Sequence, residues 1–282
     1  MTALPGVRVQ PSGRHVLTSL RGSVRYEVRM ALRGRVIWLS LVPLTLLALL
    51  LAVVSPAMGE LGPKGRVGYT VIVVNTFATL GIGVFLSGRL AQHHHPALAE
   101  LLNTTPSGVT TRMTGVLTGA LAVAVLPLAC VLALVGVFEG LRAGSPVPVA
   151  AGLLGVLVVI LPAAVVITTF ATLLGLLLPV ALARVLVVAA WFWATHLDPG
   201  LVPLPGPTGT VLSPLGGYPA AVWLDGDGVF ADRGSTGVLS PLPDSGSAVL
   251  NVVLVLVLAA LFFVLARCAI ELRTRQRGKE TG

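Results

Sequence analysis

The chain has 282 residues, 55% of them hydrophobic and 11% charged, with a formal net charge of +8. A soluble domain carries roughly 25% charged residues, so this composition excludes a globular protein that covers its own surface in water. Apolar runs of about 20 residues recur, each long enough to cross a hydrocarbon core of ~30 Å as a helix; residues 1–282 read as one all-α, polytopic membrane domain.

The N-terminal tail, 1–35, predicts an amphipathic helix over 14–35. Leu17, Leu20, Val24, Val28 and Ala31 recur at three- and four-residue spacing and share one face. Arg21, Arg25, Arg29 and Arg33, each four apart, form a basic flank beside it. Such a helix lies at the headgroup level with its arginines reaching anionic lipid. The first span follows at 36–58. Ser55-Pro-Ala57 resembles a cleavage site, but the preceding run exceeds the roughly 7–15 residues of a secretory signal. The second span is 67–88.

The loop from Gly88 to Arg112 carries His93, His94 and His95. Consecutive residues do not face one another on a helix, and no Cys or carboxylate cluster accompanies them, so a solvated or headgroup-facing patch is expected rather than a metal site. Residues 97–102 read as a short helix, and Asn103-Thr104-Thr105 is a formal glycosylation sequon that is inert on a cytoplasmic side. In the third span, 113–138, Gly115 and Gly119 form a small-xxx-small pair suited to close helix contact.

Residues 149–190 are almost unbroken apolar sequence, too long for one helix in a bilayer. A tight turn near Pro179–Arg184 divides them into spans of 149–178 and 182–197. An extracytoplasmic loop, 198–247, is rich in Pro and Gly and carries Asp198, Asp225, Asp227, Asp232 and Asp244. It reads as a packed cap, with Tyr218 and Trp223 at the outer interface. Asp225-Gly-Asp227-Gly228 lacks the remaining ligands of a calcium loop and reads as a solvated turn. The sixth span, 248–270, leads into a short tail, 271–282. Cys130 and Cys268 lie inside apolar runs and are expected to be small packing residues.

Fifteen of the lysines and arginines fall on the side of the two termini and four on the other (Lys64, Arg66, Arg142 and Arg233). The positive-inside rule then places both termini in the cytoplasm. Merging the fourth and fifth spans would move the basic C-terminal tail outside, so the same rule supports the turn. The predominance of arginine over lysine, with the Ala/Val/Leu/Gly bias, points to a GC-rich bacterial genome and hence a bacterial cell membrane.

No catalytic constellation is found. Gly81-Ile-Gly83 lies inside a span and lacks the setting and the lysine of a P-loop. The span interiors lack the acids and bases that mark proton relays. Asn75, Thr76, Thr79, Thr118, Thr168, Thr169 and Thr172 are the polar residues within spans, and either pack between helices or line a substrate path. His196 and Arg184 fall at span ends, where they anchor. No metal, cofactor or nucleic acid is implied.

The order of features resembles the six-span permease subunits of type-2 ABC transporters. Three elements carry the likeness: the basic segment Tyr26-Glu-Val-Arg-Met-Ala-Leu-Arg-Gly-Arg35 leading into the first span, Ala99-Glu-Leu-Leu-Asn-Thr-Thr-Pro-Ser107 between the second and third, and the long outer loop between the fifth and sixth. The resemblance implies a separate ABC ATPase subunit docked on the cytoplasmic loop, with Glu100, Leu101, Leu102, Thr104, Thr105 and Pro106 forming the coupling segment. It also implies a second permease subunit, identical or paralogous, and export of a hydrophobic or amphipathic substrate. A secondary transporter, or a non-transporting assembly or sensor subunit, are the competing readings; the first lacks intramembrane charge and paired broken helices.

Overall fold

The computed structural model describes residues 13–89, 108–197, 205–226 and 239–280. The coupling segment, with Glu100, Leu101, Leu102, Thr104, Thr105 and Pro106, lies outside the described residues, as do His93–His95, Asp198, Asp227, Asp232 and Arg233. The described residues are almost entirely helical, with no strand among them. Among the described residues nine helices follow in chain order: α1, Gly13–Arg33; α2, Arg35–Val54; α3, Ala57–Glu60; α4, Pro63–Leu86; α5, Val109–Ala143; α6, Val147–Leu177; α7, Val180–Thr195; α8, Gly217–Leu224; and α9, Ser245–Glu280.

Five helices, α2, α4, α5, α6 and α9, are long and apolar enough to cross a membrane. The chain is therefore a multi-pass membrane protein. The long helices alternate in direction, so α1, the end of α4 and the start of α5 gather at one end of the bundle. The α5–α6 turn and the 205–226 segment gather at the other. α4 is the central helix, buried along most of its length and packed against α2, α5, α6, α7 and α8. α6 is also largely buried, whereas α2, α5 and α9 leave most of their apolar surface outward, as lipid-facing helices do. Large exposed side chains such as Leu46, Leu134 and Val257 need no cover from protein in that setting.

The break between the fourth and fifth apolar stretches falls at Leu178 and Pro179, a tighter and earlier turn than the 179–184 interval expected. Leu178 is extended (φ −125°, ψ 161°), Pro179 caps the start of α7 and Val180 is its first residue, so exposed Arg184 lies inside the helix. A proline cannot continue α6, lacking the amide hydrogen, and it disfavours helical geometry at the residue before it. α7 has 16 residues, about 24 Å of helix, which falls short of a ~30 Å core. Residues 205–226 fold back against the bundle and bond to the end of α7. Further along α6, Val156–Ile160 form a π-helical turn, with the Leu161 amide bonded to the Val156 carbonyl, just ahead of Pro162.

Cys130 and Cys268 are free and exposed on outward helix faces, which corrects their expected packing role. Lipid tails are as apolar as a protein core, so hydropathy does not separate the two environments.

Candidate functional site

Two constellations stand out, one at each end of the bundle. At the α1 end, α1 lies on α5 rather than on lipid alone. Its inner face is made by Leu20, Ser23, Val24, Glu27, Val28 and Ala31, while Arg21, Arg25, Arg29 and Arg33 are exposed. Leu17, placed on the apolar stripe by its spacing, is exposed. The close approach comes from Gly115 and Gly119. A Cβ on Gly115 would sit 2.6 Å from Ser23 Cβ, and one on Gly119 would sit 2.8 Å from Glu27 Cβ and 2.9 Å from the Val24 carbonyl oxygen. No side chain larger than hydrogen fits at either position.

Glu27 is wholly buried there, and its Oε1 accepts a hydrogen bond from Arg89 Nε at 2.8 Å. Arg89 is itself only 15% exposed and lies 5.6 Å from the Phe85 ring centroid. A carboxylate in this setting is tolerable only because it is paired and hydrogen-bonded. Arg89 is the last described residue before 90–107, and α5 begins at Val109, just after them. Through Arg89 and Gly119, Glu27 thus ties α1 to the described chain on both sides of that interval. Periodicity carried a signal for it: Leu20, Val24, Glu27 and Ala31 share one face, and an acid on an apolar stripe requires a partner.

At the opposite end, residues 205–226 are inserted among α4, α6, α7 and α9. Asn75, 12 residues into the 24-residue α4, donates from Nδ2 to the carbonyls of Pro214 (3.2 Å) and Leu215 (3.0 Å), and its Oδ1 accepts from Thr79 Oγ1 at 2.6 Å. Asn251 on α9 donates to the carbonyls of Val211 (2.8 Å) and Ser213 (3.0 Å). Buried backbone carbonyls need donors, and these two amides supply four of them. Ser213 Oγ donates to the Ala194 carbonyl and Thr208 Oγ1 to the Trp193 carbonyl, so the segment also covers the end of α7. Gly216, at φ 75°, lets the chain turn into α8 directly over Val159 of the π-helical turn. Tyr218 is buried and donates to the Pro241 carbonyl at 3.1 Å; this corrects its expected place at the outer interface.

Ion pairs rim this end. Arg66 Nη1 lies 3.3 Å from Glu139 Oε2, with Arg142 at 3.7 Å from the other oxygen, and Lys64 Nζ lies 3.1 Å from Asp225 Oδ1. Asp225 has φ 50° and closes α8, with its side chain exposed, as a solvated turn would have it. Asp244 accepts the Ser247 amide at 2.6 Å while its own amide donates to Ser247 Oγ, a reciprocal cap on α9. Those hydrogen bonds hold the Asp244 carboxyl below the usual range.

Compared with protein-family models, curated proteins and solved structures, the chain matches none. Of the remaining polar residues singled out within the spans, Thr76, Thr168, Thr169 and Thr172 are buried, whereas Thr118 is exposed. Thr169 Oγ1 bonds back to the carbonyls of Val165 and Val166, and Thr76 Oγ1 to Ile72, while the Thr76 carbonyl accepts Trp191 Nε1 at 2.9 Å. Thr168 and Thr172 bury their hydroxyls without a hydrogen-bond partner among the described residues. Asn251 carries the same role as Asn75 but was not singled out from sequence, since its partners are backbone carbonyls.

Proposed function

We propose that the chain is the transmembrane subunit of an ATP-driven transporter of the type-2 ABC kind, exporting a hydrophobic or amphipathic substrate. The observation that carries this reading is the buried Glu27–Arg89 pair, which braces α1 against the ends of α4 and α5 that flank the 90–107 loop. A push on that loop would be delivered to α1, α4 and α5 together, because none of them can move without breaking a buried ion pair or a glycine contact.

In this reading α7 is the fifth of six spans, both termini are cytoplasmic, and the membrane is a bacterial cell membrane. α1 rests at the inner headgroup level, with Arg21, Arg25, Arg29 and Arg33 toward anionic lipid; each basic residue there contributes on the order of 1 kcal/mol. A separate ATPase subunit docks on Glu100, Leu101, Leu102, Thr104, Thr105 and Pro106. Closure of the ATPase pair on ATP moves the loop and, through α4 and α5, opens the space between two permease subunits alternately to each side. The spans themselves bury no central acid or base among the described residues, so the driving energy comes from the partner and not from an ion gradient.

Purification from the native membrane in mild detergent, followed by mass spectrometry, tests the partnership. The expected result is a P-loop ATPase recovered with the chain; recovery of the chain only with copies of itself would contradict the proposal.

A further inference from the structure

A cavity of about 490 Å³ lies between α6, α7, α9 and the inserted segment. Its volume falls within the ~300–1,000 Å³ of small-molecule sites, and the gap between helices of a bundle is a common place for them. Val166, Phe170, Trp191, Trp193, Leu212 and Phe262 form much of its wall.

The wall offers almost nothing polar to a ligand. Trp191 Nε1 is committed to the Thr76 carbonyl and Trp193 Nε1 to the Pro205 carbonyl, so both indoles present carbon to the cavity. Thr210 Oγ1 donates to the Pro207 carbonyl and accepts the Leu212 amide. An apolar cavity of this kind stays dry, since a water there would lack the two to four partners it needs.

Depth and access decide the occupant. Trp191 is bonded beside the midpoint of α4, which places the cavity floor at membrane depth. Trp193 and Leu239, at 42% and 50% exposure, stand at its mouth. Leu258 and Phe262 of α9 belong to the wall, and on the same helix Val257 and Leu261 are exposed on the outward face. We propose that the cavity is a binding site for one acyl chain of a bilayer phospholipid, which enters laterally with its headgroup left outside. This site goes beyond the transport reading and does not depend on it.

Photo-crosslinking tests it on the full chain reconstituted in phospholipid nanodiscs. The probe is a phosphatidylcholine with a diazirine in its acyl chain, and labelled residues are located by mass spectrometry. Phe170 and Phe262 should be labelled well above Leu46 on α2, which is 61% exposed and outside the cavity. A lipid bearing its diazirine on the headgroup should not label Phe170. Ala194→Phe and the milder Ala190→Leu add volume to the lining, and each should reduce labelling at Phe170 and Phe262, on the order of tenfold for the larger residue, with Leu46 unchanged. Ala190→Leu keeps the test decisive if the larger change prevents folding, which size-exclusion profiles would show. Labelling at the cavity no greater than at Leu46, or unaltered by both substitutions, would overturn the proposal and assign the space to protein, whether a second copy or this chain.

Discussion

Glu27 on α1 and Arg89, just past the end of α4, are separated by 62 positions in sequence and meet at 2.8 Å, with the carboxylate wholly buried. Removing one member of such a pair leaves an uncompensated buried charge, which costs about 3–5 kcal/mol. Arg89→Met or Glu27→Leu alone should therefore lower thermal stability in detergent markedly. The double substitution should recover much of the loss, because it removes both charges together. Strictly additive effects in a double-mutant cycle would show that the pair is not coupled.

The glycine contacts predict a second mechanical effect. Gly119→Leu would drive a side chain into Glu27 and the Val24 carbonyl, and Gly115→Leu into Ser23. Overpacking of this kind costs about 1–3 kcal/mol. Paired spin labels at exposed sites on α1 and α5, such as Arg25 and Leu126, should report a longer separation in either variant. An unchanged distance distribution would mean that α1 is not seated on these glycines.

Asn75→Leu and Asn251→Leu each remove the donor from two loop carbonyls at or near membrane depth. Leaving a buried acceptor unsatisfied costs about 1–3 kcal/mol. Hydrogen exchange across 205–226 should accelerate in both variants, while exchange in α5 stays as in the parent. Protection retained throughout 205–226 would show that the amides do not hold the segment.

The Asp244 cap gives a pH dependence. Its carboxyl is held below its ordinary value by the Ser247 hydrogen bonds. The stabilisation is therefore complete above the unfolded pKa of about 3.9 and is lost as pH falls through the lower folded value. Exchange protection of the first turn of α9 should be level from neutral pH to about 5, then fall in more acidic solution. Asp244→Asn should flatten that acid dependence; an identical acid profile in the variant would assign it to another group.

Much of the fold was legible because hydrophobic run length speaks directly to bilayer thickness. All five long helices fall on the expected spans, and the short α7 follows the break that Pro179 demanded. The inserted segment was less legible. Its prolines and glycines read as a packed cap, but not what packs it: a set of backbone carbonyls that accept from Asn75 and Asn251. Carbonyls are the same in every residue, so no sequence pattern announces them. Lipid exposure was equally hidden, as Cys130 and Cys268 show. Glu27 was visible as an acid on the α1 stripe, but its partner Arg89 was indistinguishable from any other cytoplasmic arginine counted toward orientation.

In the proposed mechanism an ATPase acts on this chain through residues 90–107. Site-specific crosslinking from position 100 to a co-expressed ATPase, scored beside ATP-driven substrate movement in vesicles, tests it most directly. The account predicts a crosslink from position 100 in the parent and loss of transport in Glu100→Arg, since charge reversal at a desolvated contact can cost several kcal/mol, with insertion and stability of the chain unchanged. A solvated surface acid is worth less than about 1 kcal/mol, so full transport by Glu100→Arg, with no crosslink formed from position 100, would contradict it.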